Sequence, residues 1–537
     1  MDRSALSRAA SFGATLDRRQ FLRGIAATGA VAGAGGLLTA CSSSGHSSSG
    51  HPPVSGGSRR GGSLKVGLTG GSGADTVDPH KGLTYLDSSR LQSLYSPLVQ
   101  LDANAQLEYM LAESITPSNT TFTEWVIKLK PGVTFHSGKP LTADDVVFSF
   151  NRIVSNKFSG TNPLGPIDLK NTRALDPHTV SVKMTSPYSS FVDQLAASWV
   201  YLYIAPAGFS GKAPWDGTGP FAFKSFTPGT QSVFTRNPHY WRTGLPYADT
   251  LTIIDFTDTV ALANALTTGI VHGAGTLDGP QIATLASSSG VRAVVSKAGG
   301  IVPFTMRVDQ PPFHDVRVRQ AMRLLVDRPQ LIASALDGFA TPASDVFSPF
   351  DPDFDSALVR HTDISQAKSL LKAAGQQDLT VTLTTSQIAT GAVTMATVLA
   401  AQAKAAGVTI KVSNVPSSTF FGPNYLKWNF ALDYYNYFPY LPQVSESMLA
   451  ASPFNETHTA DPGYTKLYNQ ANATASGSSL HKEILFKMQE FDFTQGGYII
   501  PAFVDSLDAY GTRIAGYRPA KIGQPLSNFD MEHWYFV

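Results

Sequence analysis

The chain has 537 residues, with 41 Lys/Arg against 40 Asp/Glu, a formal net charge of +1, and a single cysteine. So balanced a charge gives no basic face for nucleic acid, and one thiol excludes any intramolecular disulfide and any Cys-x-x-Cys site. The length exceeds one ordinary core, so two or three are expected.

Residues 1–41 read as an export leader. Arg18-Arg19 precedes an apolar, Gly/Ala-rich run from Gly24 to Leu37, which closes on Leu38-Thr39-Ala40-Cys41. The paired arginines resemble a twin-arginine signal, and Leu-Thr-Ala-Cys resembles a lipobox whose cysteine is acylated. The apolar run is too short and glycine-rich to span a bilayer. Arg18 and Arg19 are therefore expected to direct export. Cys41 is expected to anchor the protein by lipid to the extracytoplasmic face of a bacterial cell membrane. Residues 1–40 hold five Lys/Arg and two Asp/Glu, so the remainder carries a net charge of −2 and recommends no nucleic-acid partner. Residues 42–62 are Ser/Gly/His/Pro and read as a flexible tether. His46 and His51 are taken as polar spacer within it, and no metal site is expected.

Order begins with a strand at Leu64–Leu68, followed by a short helix over Ser88–Leu98. Phe122 to Leu129 reads as a strand stopped by Pro131-Gly132, and Val133 and Phe135 as its continuation. Thr142-Ala-Asp-Asp145 has the form of a capping box, and Val146, Phe150 and Ile153 then fall on one helical face. Further on, Asp363–Ala374 is a helix with Ile364, Ala367, Leu370 and Leu371 inward and Gly375 at its cap. A strand at Leu379–Leu383, a helix over Ala392–Ala406 and a strand at Val408–Val412 form a βαβ unit. The fold class is α/β, with no internal repeat.

Residues 135–149, Phe-His-Ser-Gly-Lys-Pro-Leu-Thr-Ala-Asp-Asp-Val-Val-Phe-Ser, resemble the signature of family 5 extracellular solute-binding proteins. These serve oligopeptide, dipeptide and nickel ABC importers. Gly217–Ser225, Arg236–Trp241, Pro311–Ala321 and Ile499–Phe503 resemble further blocks of that family, in its order. The resemblance implies a two-lobed periplasmic-binding-protein-like fold with an extra sub-domain in the first lobe. By order of motifs, residues 63–303 form lobe I, 304–503 lobe II, and 504–537 a return to lobe I. The chain crossings are expected near Pro303–Arg307 and Pro501–Val504.

No catalyst is legible. Ser365-Gln-Ala-Lys368 fits S-x-x-K but sits mid-helix without companion motifs, and Ser72 lies in an incomplete nucleophile elbow. Asp144 and Asp145 suit a helix N-terminus. Arg317 and Arg319, flanking Val318, read as solvated or salt-bridged scaffold. A secreted hydrolase is thus the losing hypothesis, and a structural or adhesive lipoprotein a third. No cofactor is expected.

The resemblance implies a monomeric receptor that captures a small solute between its lobes and hands it to the transmembrane subunits of an ABC permease. Peptide is the leading ligand class; sugar or glycoside, anionic metabolite and metal chelate are the alternatives. The ring-rich stretch Asp433–Tyr440 reads as cleft wall, with Tyr434, Tyr435 and Tyr437 as ligand contacts, and Tyr85 is grouped with them. Peptide binders of the family carry an acid in this stretch, yet none lies between Tyr434 and Gln443; Asp433 is given a structural role. Arg307 stands where relatives commonly have asparagine and is expected to meet an anionic or strongly hydrogen-bonding group of the solute, the alternative being a surface ion pair with Asp309 or a neighbour.

Overall fold

The computed structural model describes residues 60–537; Arg18, Arg19, Cys41, His46 and His51 lie outside the described residues. In chain order, β1 (Ser63–Thr69) leads to α1 (Tyr85–Leu94). The helix starts at Tyr85, not Ser88, because Thr84 and Asp87 form a reciprocal capping box. It stops at Leu94, where the capping residue Tyr95 is extended two positions ahead of Pro97. Next come β2 (Ala112–Pro117), β3 (Glu124–Leu129), α2 (Ala143–Ser155), β4 (Arg173–Asp176), β5 (Thr179–Lys183) and α3 (Phe191–Ala197). These strands form one antiparallel sheet in the order β2-β3-β5-β4. Its apolar face meets α2 through Val146, Phe150 and Ile153, all fully buried. Val133 and Phe135 do not extend β3. Pro131-Gly132 turns the chain away, and Thr134 keeps only a bridge to Pro140.

Asp145 does more than favour a helix dipole. It completes the capping box with Thr142, accepts from the Lys139 ammonium at 2.7 Å and from the Ala207 amide at 2.7 Å. Asp144 is exposed.

The first lobe's main sheet is built from β6 (Phe221–Thr227), β7 (Gln231–Arg236), β8 (Thr250–Phe256), β9 (Gly273–Ala274) and β10 (Val291–Ile301) around β1. β1 runs parallel to β8, and Arg90 on α1 binds the sheet with Asp75, Asp87 and Asp255 as partners. A buried guanidinium needs such a carboxylate set.

The chain leaves this sheet after Ile301 and enters a second one at β11 (Phe304–Met306). There follow α4 (Val316–Leu324), β12 (Ala340–Pro342), α5 (Ile364–Ala373), β13 (Thr380–Thr385), α6 (Ala392–Ala403), β14 (Thr409–Asn414) and β15 (Phe430–Leu432). Then α7 (Tyr440–Ser447), α8 (Pro462–Asn472), α9 (Ser479–Thr494) and β16 (Tyr498–Ile499) complete the second layer. The sheet order is β14-β13-β15-β11-β16, with β13 and β14 parallel across α6. Its faces alternate by residue, as a strand requires. Phe304, Leu432 and Ile499 pack on α4, α5 and α6, while Tyr498 joins the ring-rich core of α7, α8 and α9.

Arg319 is not solvated scaffold. It is buried and donates to the carbonyls of Phe313, His314, Gln495 and Gly496, while Arg323 donates to those of Asp492, Phe493, Gly496 and Tyr498. The end of α9 leaves carbonyls without helical partners, and two five-donor forks on α4 take them up. Arg317 is exposed and pairs with Asp315.

From β16 the chain returns as β17 (Ala502–Gly511). In the first sheet, whose path is β10-β17-β9-β1-β8-β7-β6, it lies between β10 and β9, and β12 also pairs with it. Among the described residues, no helix is long and apolar enough to cross a membrane.

Candidate functional site

Two short passages join the sheets, Ile301 to Phe304 and Ile499 to Ala502, and beside them the lobes face each other along a seam. One end of the seam is closed by α1 and the stretch after β15. Tyr85 is the first residue of α1, and its hydroxyl donates to Asn436 Oδ1 at 2.7 Å. Its ring rests on Phe529, 6.2 Å between centroids, and burial pushes its phenol above the usual tyrosine range. Phe529 ends a run, Leu526 to Phe529, in which all four residues have φ between +54° and +67° without a glycine. Such backbone costs of order 1–3 kcal/mol per residue and persists only where its surroundings hold it. The Leu526 amide donates to Asp508 Oδ2, the Arg518 amide to Ser527 Oγ, and the Asn528 side chain to the Leu101 carbonyl. Strained chain here positions the ring beneath Tyr85.

The second lobe brings Asp433 to Tyr440. Tyr435 exchanges two 2.9 Å backbone hydrogen bonds with Ile301, and the Asp433 amide donates to the Pro303 carbonyl, so this stretch grips the first crossing. Tyr437 turns into the core of the α2/α3 sub-domain, its ring 5.6 Å from Phe350. It lies so close to the crossing strand that a Cβ at residue 299 would stand 2.6 Å from its ring; only glycine fits there. Tyr434, 39% exposed, is the ring of this group that remains open to solvent. Tyr435 is half-buried and directed to Glu456, which its hydroxyl meets at 2.5 Å.

Asp433 and Glu456, 2% and 4% exposed, face each other among Tyr425, Tyr435 and Tyr498. Burial pushes the Asp433 carboxyl up to about 6; Glu456 is raised by burial first and by the charge of Asp433 second. Two carboxyls so placed cannot both ionise cheaply, so the pair holds one proton near neutrality or awaits a cation. The buried acids beside these rings are Asp433 itself and Glu456, 23 residues further on. Sequence reading missed Glu456 because nothing local marks it.

Arg307 is not brought to these rings. Its guanidinium makes a two-pronged contact with Asp309, at 2.9 and 2.6 Å, and reaches the Lys427 carbonyl. Its amide pairs with Asn429, which precedes β15, whereas Tyr434 follows that strand. An arginine with a carboxylate two residues away satisfies its fork locally. Of the two readings of Arg307, the structure shows the ion pair with Asp309.

The far end of the seam is pinned where the residues before α3 meet the end of α8. Ser190 Oγ donates to Asn472 Oδ1 at 2.6 Å, and the Ser189 amide and hydroxyl to the carbonyls of Asn472 and Ala471. An open hollow of about 580 Å³ on α8, lined by Pro462, Thr465, Lys466, Asn469 and Gln470, gathers no aromatic or carboxylate group. Ser365 and Lys368 are exposed on α5, and Ser72 Oγ donates to Asp75 in a turn.

A family model described as bacterial extracellular solute-binding proteins, family 5 Middle, matches residues 106–455. The chain is 30% identical over 313 residues to the glutathione-binding protein GsiB of Escherichia coli O1:K1 / APEC. That match covers 57% of the chain and 60% of the relative's length. Among solved structures, the ABC transporter substrate-binding protein CtaP of Listeria monocytogenes superposes with a TM-score of 0.77 at 23% identity, over 89% of this chain and 100% of that one. The periplasmic binding protein DppA of Helicobacter pylori, in complex with the peptide STSA, gives 0.76 at 20% identity, over 89% and 98%. These likenesses show the two-lobed periplasmic-binding-protein fold.

Proposed function

Because the chain belongs to the bacterial extracellular solute-binding proteins of family 5, we propose that it is the substrate-binding component of an ABC importer and that its solute is peptide-like. The observation that carries this reading is the buried Asp433–Glu456 pair at the crossing between the lobes, beside the Tyr85–Asn436 contact. Buried carboxyls without a fixed cation suit a ligand that brings an ammonium group. The peptide and the glutathione named for the two relatives each carry one. Closure of the lobes over the ligand is the working step: contacts made with both sides at once favour the closed form. Relatives of this family are binding proteins of the extracytoplasmic space, and no covalent chemistry is needed for the role. Within the same reading the protein acts as a monomer, is exported through Arg18-Arg19 and is held to the membrane by a lipid on Cys41. Lobe I is assigned residues 63–303, lobe II residues 304–503 and the return 504–537.

Calorimetric titration of the full chain in mild detergent tests the ligand class. Ala-Ala-Ala and glutathione should bind, and N-acetyl-Ala-Ala-Ala, which lacks the ammonium, should bind about a hundredfold more weakly. Asp433→Asn should erase that difference. Equal binding of free and acetylated peptide would overturn the amine reading, and binding of neither would exclude a peptide-like solute.

A further inference from the structure

The two lobes are fastened to each other at the far end of the seam by groups of the chain itself. Ser189 and Ser190 stand just ahead of α3, whose Phe191 and Leu195 are seated in the sub-domain core. Ala471 and Asn472 end α8, whose Tyr464 and Ala471 pack in the ring-rich core of the other lobe. Although 282 residues separate them, Ser190 and Asn472 share two hydrogen bonds. The Ser190 hydroxyl donates to Asn472 Oδ1 at 2.6 Å, and its amide to the same oxygen at 3.4 Å. The Ser189 amide donates to the Asn472 carbonyl at 2.9 Å, and its hydroxyl to the Ala471 carbonyl at 3.1 Å. All four residues are more than nine-tenths buried.

Both sides are set up for this contact. Asn472 Nδ2 donates to the Tyr468 carbonyl one turn earlier in α8, at 3.2 Å, which leaves Oδ1 for Ser190. The last carbonyls of a helix lack partners within it, and the Asn472 carbonyl receives its donor from across the seam. The other fastenings are of the same kind: the Tyr85 hydroxyl donates to Asn436, and Tyr437, 5% exposed, is packed among sub-domain side chains. Water takes up these groups when the lobes part, so each bond shifts the balance by only a few-fold. Bonds gathered in one buried patch act together.

We propose that Ser189, Ser190 and Asn472 are a latch that holds the lobes together before solute arrives, so that solute enters through a minor open form and leaves by breaking the same contact. The inference rests on the reading that the seam is the solute cleft. Because the latch uses no solute atom, it strengthens the closed form equally with and without solute. Entry is slowed by the small open fraction, and release is slowed by the same factor, so equilibrium affinity is almost untouched. In a receptor that rests open, the same contact would slow release alone and would tighten binding.

The test takes the full chain in mild detergent with Asn472→Ala and Ser190→Ala, singly and together. The two substitutions lie in different lobes, so a packing defect in one does not imitate the other. Small-angle scattering without solute should give each variant a larger radius of gyration than the wild-type chain. Stopped-flow tryptophan fluorescence with Ala-Ala-Ala should show association and dissociation both faster by about three- to tenfold, with affinity within about twofold. The double variant should go no further than the stronger single one, since both remove the same bond. If dissociation alone speeds up and affinity falls by that factor, the contact forms only around bound solute and the proposal is overturned. Unchanged scattering and rates overturn it as well. If Ala-Ala-Ala does not bind, scattering alone decides the latch, and the peptide-like reading falls separately.

Discussion

Asp345 and Arg328 form a fully buried ion pair at 2.8 Å, and the same carboxylate takes Arg360 and the Ile500 amide, each at 3.0 Å. The loop after β12 is thereby tied to the second passage between the lobes. Asp345→Ala leaves two guanidinium groups without their shared anion, one of them buried, and is expected to cost about 3–5 kcal/mol. Urea unfolding of the full chain reads this directly; a loss below about 1 kcal/mol would mean that water or nearby carbonyls replace the carboxylate.

The Tyr85–Asn436 hydrogen bond joins the two lobes, and removing it should loosen the closed form. Tyr85→Phe and Asn436→Ala are each expected to weaken closure by about 0.5–1.5 kcal/mol. Small-angle scattering without ligand should show a larger radius of gyration for both. In the double variant the effects should fail to add, since both remove one contact. Additive effects would assign the two residues separate roles.

Stability should fall as pH rises from about 4 to 7. Burial pushes Asp508 up to about 7 from its ordinary 3.8, and Asp492 likewise to about 7. Between those limits the folded chain holds protons that the unfolded chain has released. This contribution is fully present below pH 3.8 and lost as pH passes the folded value. Each such group contributes a slope of up to about 1.4 kcal/mol per pH unit within the window. Asp508→Asn keeps an acceptor for the Leu526 amide and removes the titration, so it should flatten the profile. An unchanged slope would place the proton uptake elsewhere.

Arg307→Ala should leave solute affinity unchanged and cost about 0–1 kcal/mol of folding stability, the worth of a surface ion pair. Calorimetry on the variant with Ala-Ala-Ala checks it; a tenfold loss of affinity would return this arginine to the binding site.

The leader is tested in the bacterial host. Arg18→Lys together with Arg19→Lys should stop export, and Cys41→Ala should yield protein without a lipid mass that leaves the membrane fraction. Lipid still attached to the Cys41→Ala protein would rule out that cysteine as the anchor.

What the sequence disclosed was local. The Thr142 capping box, the α5 face of Ala367 and Leu371, and the β13-α6-β14 unit follow from periods of two and 3.6 residues and from caps a few residues away. The rings after Asp433 stood out by composition. Their division of labour did not: Tyr437 plugs the sub-domain core, Tyr435 serves Glu456, and Tyr434 stays open. Arg319 and Arg323 escaped because their carbonyl partners lie some 170 residues away at the end of another helix. For Arg307 the sequence left a solute contact and an ion pair with Asp309 both open, and only the folded geometry shows the pair formed.

The place of β17 sets an order of events in the making of this protein. Residues 502–511 separate β10 from β9 in the sheet that β1 began, so most of the chain is synthesised before the first lobe can be completed. At about 5–20 residues per second, that interval is tens of seconds. Until then the β10 and β9 edges lack the strand that joins them, and exposed edges of this kind recruit other chains. A ribosome-bound fragment ending before Ala502 should therefore be protease-sensitive in its first lobe, for which residues 502–511 act as the closing stitch.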